Sequence, residues 1–461
     1  MENFSDYNVW SWILILGILL GSLLLGNLLK KSIPFLSASL IPTAVIGGCI
    51  ILIVEGVYKA ITGDVMFDTV IFDGNGTTKL EILTYHTLAL GFIASSFKTT
   101  GSKLTKQRSD EIFNTGVTTV ATYLIQGVFG LAVTIIAAAF IGGFFDAAGI
   151  LLPFGFGQGT GQALNYGNIY EHDWGFAGGR SFGLTIAALG FLAASIGGVI
   201  HLNIMKKRGK LVLSSRKDGS LHTDLVDNPD EIPMQESVDK MTIQLSLVLV
   251  AYLFAYILML VLSKLLPNMS SVIFGFNFLL GVLSATLMKL AMNFFRKKGI
   301  MKKKHTNNFL MTRVSNFFFD IMIVSGVAAI RLDVLEQYWG IMVILGVVGV
   351  IVTYVYNRFV AKLLFPDYYE EQFLAMYGML TGTASTGIIL LREVDGDFRT
   401  PVSDNLVYQN FPAIVFGFPM MLLATLAPKD PILTLIILAV FFLAMNILLF
   451  RSVIFKKRNK K

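Results

Sequence analysis

Gly155-Phe-Gly-Gln-Gly-Thr-Gly-Gln-Ala163 lies between long apolar runs, yet it cannot continue them as helix. Gly155, Gly157, Gly159 and Gly161 alternate through it, and each glycine costs about 1 kcal/mol against alanine inside a helix. The pattern predicts broken or extended backbone. At membrane depth such backbone survives only where protein covers it or where it lines a cavity. A second stretch of the same character, Gly378-Met-Leu-Thr-Gly-Thr-Ala-Ser-Thr-Gly387, comes much later. Two glycine-interrupted segments in corresponding positions of two halves point to a transport site. The competing reading is a pair of ordinary polar loops.

The rest of the chain supplies the membrane context. Of 461 residues, 54% are hydrophobic and 15% are charged. Many runs exceed the ~18 apolar residues needed to cross the hydrocarbon core. They are continuous and do not alternate, which argues against a β-barrel. The fold class expected is an all-α polytopic membrane protein in the cell membrane. The formal charge of +7 is no sign of nucleic-acid binding, because the cations sit in short loops that set topology. One cysteine, Cys49, excludes an intrachain disulfide framework or a cysteine-based metal centre. The segment Met1 to Tyr7 lacks the basic start of a signal peptide, so the first span reads as a retained helix.

Eleven spans are predicted, at 11–29, 37–57, 82–97, 112–141, 176–204, 241–264, 271–295, 309–330, 338–364, 402–426 and 432–452. Basic clusters at Lys30-Lys31, 98–108, 206–217, 296–304 and 456–461 all fall on one side. The positive-inside rule makes that side cytoplasmic. The N-terminus is then outside and the C-terminus inside. The first glycine break faces out and the second faces in.

The polar segment 205–240 divides the chain, giving halves 1–204 and 241–426 and a final 427–461 with an additional span and a basic tail. Leu40-Ile-Pro42 before Gly47-Gly48 is echoed by Leu265-Leu-Pro267 before Gly275 and Gly281. Leu88-Ala-Leu-Gly91 before Lys98 is echoed by Val324-Ser-Gly326 before Arg331. Each half has five spans and a re-entrant hairpin before its fifth, near 148–170 and 367–398. An odd number of spans turns the second copy upside down, as in inverted-topology transporters.

A hairpin that dips into the bilayer offers half-helix N-termini to anions and unwound carbonyls to Na⁺. The candidate contacts on the first stretch are Gly157, Gln158, Gly159, Thr160, Gly161, Gln162 and Asn165. On the second they are Thr381, Gly382, Thr383, Ser385 and Thr386. Na⁺ is expected near Gly159-Thr160 and Thr383-Ser385. The competing role for these hydroxyls is capping helix ends and packing small faces. Asp320 is an intramembrane carboxylate and a functional candidate by default, either for a cation or proton or as a partner for a neighbouring helix. Gln126, Asn165 and Asn277 could equally join helices. In span five, Gly183, Ala187, Gly190, Ala194 and Gly197 form a small-residue stripe that predicts close packing against the first hairpin. Arg180 could grip a substrate carboxylate but reads better as lying at the outer interface, and Lys289 reads as snorkelling to the inner surface. The scattered histidines have no metal-ligand spacing.

Gly157-Gln-Gly-Thr-Gly-Gln-Ala163, Ile41-Pro42 with Gly47-Gly48, and Gly190 with Gly197-Gly198 resemble the sodium/glutamate symporter family. The span order is similar over roughly residues 10–425. The resemblance implies two inverted five-helix halves, Na⁺-coupled uptake of glutamate or a similar small carboxylate, and a homodimer with a mobile unit sliding against a scaffold. No other cofactor is implied, and H⁺ is the alternative coupling ion. Two features depart from the family: Gly382-Thr-Ala-Ser-Thr386 has no proline where its members carry Thr-Pro-Thr, and the span at 432–452 is additional.

The competing function is a channel lined by the two glycine loops. An enzyme has no support, since His-Glu-x-x-His, Gly-x-Ser-x-Gly and paired intramembrane carboxylates are missing from the sequence. A Walker A motif is also missing, so direct drive by ATP is not expected.

Overall fold

Where no water can satisfy backbone N–H and C=O groups, a chain must satisfy them within its own segments, and helices do so. The computed structural model describes residues 3–38, 41–98, 105–208, 231–234, 237–331, 336, 338–395 and 399–451. Among these, regular structure is helical apart from one isolated bridge between Glu231 and Lys304. The first half holds α1 (Tyr7–Ser32), α2 (Pro34–Ala38), α3 (Thr43–Thr62), α4 (Gly76–Ser96), α5 (Lys106–Phe140), α6 (Leu151–Gln158), α7 (Thr160–Trp174) and α8 (Gly179–Lys207). The second holds α9 (Lys240–Leu265), α10 (Ser270–Gly275), α11 (Asn277–Lys297), α12 (Asn308–Ala328), α13 (Trp339–Leu364), α14 (Tyr369–Thr381), α15 (Ala384–Val394), α16 (Val402–Tyr408) and α17 (Asn410–Leu426). The last helix is α18 (Pro431–Leu449). Much of the linker, residues 209–230, and the basic tail, 452–461, lie outside the described residues.

Nine of the described helices, α1, α3, α5, α8, α9, α11, α12, α13 and α18, are long and apolar enough to cross a membrane. The protein is a polytopic helical membrane protein. Of the eleven expected spans, α4 and α17 fall outside this set. Helix α17 has 17 residues. Helix α4 has 21 but carries buried Thr77, Lys79, Thr84 and Thr87. Helices α12, α11 and α7 pack against it, and Lys79 and Thr84 reach Ser11 and Ser325 of neighbouring helices instead of lipid.

The packing pairs helices of the two halves. Helix α1 packs on α3 and α9 on α11; α3 packs on α12 and α11 on α4. At the centre α4 meets α12, with Thr84 Oγ1 2.8 Å from Ser325 Oγ and Ser315 Oγ donating to Gly91 O at 2.9 Å. The numbers run in opposite senses, so the two helices are antiparallel. Helices α5 and α13 are antiparallel as well. Gln126 Nε2 donates to Thr353 Oγ1 at 2.7 Å, and Asn357 Nδ2 donates to Thr122 Oγ1 at 3.3 Å. Two groups result: α1, α3, α4, α9, α11 and α12 on one side, and α5, α6, α8, α13, α14, α17 and α18 on the other.

Outward faces are apolar. On α18, Ile432, Ile436, Val440, Leu443 and Ile447 are exposed, which suits lipid and not water. The other side of α18 lies along α5. Asp430 caps its start, accepting from Leu433 N at 2.9 Å. Arg451 ties its end to Asn114 Oδ1 at 2.9 Å and covers the Phe113 ring.

Candidate functional site

Each glycine stretch is the turn of a helical hairpin. Between α6 and α7 only Gly159 is non-helical, at φ 78° and ψ −169°, a region essentially reserved for glycine. The rings of Phe154 and Tyr166 then stack 4.0 Å apart at 11°. In one continuous helix these residues would lie about 18 Å apart, so the chain reverses at Gly159. Between α14 and α15 the turn is Gly382-Thr383. A Cβ on Gly378 would lie 2.9 Å from Gly387 Cα, so the two arms touch backbone to backbone. Thr383 caps α15, its Oγ1 accepting from Thr386 N at 3.4 Å.

The two turns face each other. A Cβ on Gly159 would lie 3.5 Å from Thr383 Cγ2 and 3.8 Å from Met322 Cε and Phe191 Cζ. Helices α7 and α15 both begin here, so two N-terminal partial positive charges converge on one place. The stripe on α8 explains how. Gly183 lies against Ala163 of the first hairpin, and Gly190 and Gly197 lie against Thr381 and Tyr377 of the second. The stripe was expected to seat one hairpin; it seats both. From α5, Tyr123 Oη donates to Gly157 O at 3.1 Å and Gln126 Nε2 to Leu380 O at 2.9 Å. One helix therefore braces both turns.

A cavity of about 160 Å³ opens beside them. Its walls include Gly157, Gln158, Thr383 and Ala384 from the turns, Leu88 and Phe92 of α4, Met322 of α12, Tyr123 of α5 and Gln409, between α16 and α17. It follows α4 from Leu88 to Ser95, toward the end that leads to Lys98. A second cavity, of about 370 Å³, lies at the other end of α4. Thr78, Glu81, Tyr85, Asn165, Asn168 and Arg180 are among its walls. Between the two, Leu88 lies against Gly161, and Thr160 Oγ1 donates to Met322 O at 3.1 Å.

The expected site residues divide accordingly. Gly157, Gln158, Gly159 and Thr383 reach the first cavity or its edge. Thr160 and Gly161 form the partition behind it. Thr381 and Thr386 are buried, with Thr381 Oγ1 bonded within its own helix to Tyr377 O at 2.6 Å. Gly382 lies between Thr386 and Phe191, and the Ser385 side chain falls outside the described part of the structure. Asn165 faces the second cavity and donates to Gly275 O at 3.1 Å. Gln162 is 1% exposed, yet neither its amide oxygen nor its nitrogen has a partner. Asp320 stands apart. It is exposed, on the face of α12 that carries Arg313 and Asn316, while Phe319 and Met322 line the cavity from the other face.

The amides and Lys289 have structural partners. Gln126 and Asn277 join helices, the latter donating to Tyr85 O at 3.0 Å. Lys289 Nζ does not snorkel freely: it donates to Ser96 O at 2.7 Å and Lys98 O at 3.1 Å, closing the end of α4. Arg180 is paired with Glu171 and Glu81, both at 2.7 Å. Tyr123, Leu88, Phe92 and Met322 escaped the sequence reading, because aromatic and aliphatic residues in an apolar span carry no signal of a cavity wall. Among the described residues no three His, Cys, Asp or Glu side chains gather as a metal group; the oxygens beside the turns are neutral.

A family model described as sodium/glutamate symporter matches residues 10–399, most of the chain. The chain belongs to the sodium/glutamate symporter family. A comparison with curated proteins gives no match. Membership makes this a multi-pass membrane transporter, a class distinct from enzymes, with Na⁺ as the coupling ion and glutamate as the family's solute. The match covers the first hairpin, α8 and both arms of the second, and ends before α17 and α18.

Proposed function

We propose that the chain carries glutamate or a similar small amino acid or carboxylate inward with Na⁺, by alternating access at the facing hairpin turns. The observation that carries this reading is the approach of Gly159 to Thr383 at the end of a cavity, with two helix N-termini aimed at the gap. Helix N-termini favour anions. Gln162, with both amide atoms unpartnered, and Gln126, with an unpartnered Oε1, add groups that a ligand would satisfy. A buried unpaired amide costs about 1–3 kcal/mol, and a bound solute or ion offsets that cost. Neutral carbonyl, amide and hydroxyl oxygens suit a hard cation such as Na⁺.

The pairings α4 with α12 and α5 with α13, each antiparallel, support the inverted repeat and the re-entrant course of both hairpins. With the basic loops cytoplasmic, the first cavity opens inward and the second outward, and the partition at Thr160 and Leu88 closes the path between them. A homodimer belongs to the same proposal. A channel is not favoured, since the family is one of symporters.

Purified protein in liposomes tests this. An inward Na⁺ gradient should drive L-glutamate accumulation, and replacing Na⁺ by K⁺ should abolish it. Uptake unchanged in K⁺ would reject the coupling ion, and no uptake under any gradient would reject the solute.

A further inference from the structure

The second cavity has chemistry of its own, and its assignment as a solute site rests on the amino-acid transport proposed for the hairpins. Arg180, at the start of α8, is held by one carboxylate from α7, which packs along α8, and by one from α4 of the other helix group. Glu171 at the end of α7 accepts from Nε at 3.1 Å, from Nη2 at 2.7 Å and from Arg180 N at 3.0 Å. Helices α7 and α8 pack along one another, so this pair stays within one unit. Glu81 of α4, in the other group, accepts from Nη1 at 2.7 Å. That bond spans the cavity wall, and both of its partners line the space. The neighbouring Arg331 is bonded to Asp68 at 2.8 Å and acts on Glu81 only through space.

Two carboxylates therefore share one guanidinium. A ligand carboxylate that displaced Glu81 from Nη1 would leave Glu81 without a hydrogen-bonded cation, with only Arg331, itself bonded to Asp68, in its neighbourhood. A ligand that also brings an ammonium group satisfies the released Glu81. The exchange trades one charge-assisted hydrogen bond for another of the same kind. A carboxylate without an amine leaves two anions facing each other. Asn168 and Asn165, on the adjoining turn of α7, supply neutral polar groups for the remainder of the solute.

We propose that the cavity walled by Glu81 and Arg180 is a capture site for α-amino acids on the face opposite the basic loops. Arg180 takes the ligand carboxylate and the displaced Glu81 takes its ammonium group, while Glu171 keeps the guanidinium in place.

The test is uptake of external L-glutamate by wild type, R180K, R180Q and E81Q in oriented liposomes, with 2-oxoglutarate as the amine-free competitor. Loss of the charge-assisted bond should raise the external KM of R180Q about tenfold or more, with R180K in between and the KM for internal substrate unchanged. E81Q should lose discrimination, the ratio of 2-oxoglutarate to glutamate inhibition constants falling about tenfold. Equal changes in external and internal KM, or none in either, overturn the proposal and leave a simple ionic clasp. If R180Q does not reach the membrane, the E81Q ratio alone decides. Absence of Na⁺-driven uptake by wild type instead defeats the transport reading. Calorimetric binding of L-glutamate to the purified variants then judges the capture site by the same order.

Discussion

The two hairpins turn differently, the first at Gly159 with φ 78° and the second through Gly382-Thr383 at negative φ, and they differ in who holds them. The first is gripped by both helix groups. Thr160 bonds to α12, Asn165 to α10, and Tyr166 and Tyr170 donate to Met421 O and Ala424 O of α17 at 2.8 and 2.6 Å. The second is held mainly from one side. Gln126 and Tyr377 join it to α5 and α8, with Tyr377 Oη donating to Ala193 O at 2.9 Å, and Gln372 Nε2 donates to Thr115 Oγ1 at 3.2 Å. Its turn is also more open, since Thr383 is half-buried and Ala384 exposed beside the first cavity. A segment with fewer buried contacts opens at lower free energy. On the proposed mechanism the first hairpin is the fixed jaw in this state, and the second is the one to yield.

Exchanging the turn glycines should expose this difference most strongly. Gly159→Ala places a Cβ at φ 78°, with a strain of about 1–3 kcal/mol. We expect Na⁺-driven glutamate uptake to fall roughly 10- to 100-fold at unchanged membrane content. Gly382→Ala meets Thr386 Oγ1 at 3.0 Å but keeps a negative φ of −137°, so its loss should be several times smaller. Equal losses in reconstituted uptake would end the distinction between a rigid and a yielding turn.

The braces from α5 come next. Gln126→Leu leaves Leu380 O without its side-chain donor, a cost of about 1–3 kcal/mol, and should reduce uptake about tenfold. Hydrogen exchange should quicken at 380–386 and stay slow at 157–162. Tyr123→Phe removes a single neutral bond to Gly157 O, worth about 1 kcal/mol, and should speed exchange only near the first turn. If both variants loosen both turns alike, α5 does not address them separately.

Loss of the cap on α15 is smaller again. Thr383→Ala removes a bond of 3.4 Å and about 1 kcal/mol, so KM for glutamate should rise roughly fivefold. A KM within twofold of wild type would mean that the second turn needs no cap to hold solute.

Each feature was legible to the extent that it leaves a local signal in the chain. The places of the two breaks were legible from the glycine runs but their extent was not: Gly155, Gly157 and Gly161 are helical, and only Gly159 in the first and Gly382-Thr383 in the second leave the helix. The polytopic class was legible from the length of the runs. The breadth of α8's role was not. Gly183 and Gly197 look alike on a helical wheel, and nothing local says that one meets Ala163 and the other Tyr377. Cavity walls such as Leu88 and Phe92 were silent for the same reason. The pairing of Arg180 with Glu81 joins residues 99 positions apart and depends on how α4 meets the start of α8, which pattern cannot supply. The span expected at 82–97 falls in α4, which stays outside the set of long apolar helices because buried threonines lower its apolar content.

Asp320 makes the last comparison, between the face of α12 that meets the hairpins and the face that does not. A mid-span carboxylate is expensive in lipid, so its presence invites an ionic role. Yet Met322 and Gly326 touch the first turn, at Gly159 and Thr160, while Asp320 shares its exposed face with Arg313 and Asn316. Seven residues from Arg313 along a helix is about 10 Å, and the three polar groups form a strip running from the basic end of α12 toward its middle. Such a strip can keep the carboxylate in contact with water without any part in coupling. Asp320→Asn should therefore leave the Na⁺ dependence of uptake within about twofold of wild type, too little to count as the loss of a charged ligand. A large shift in the Na⁺ titration would bring Asp320 back as an ion ligand and would require α12 to turn that face toward the hairpins at another stage of the cycle.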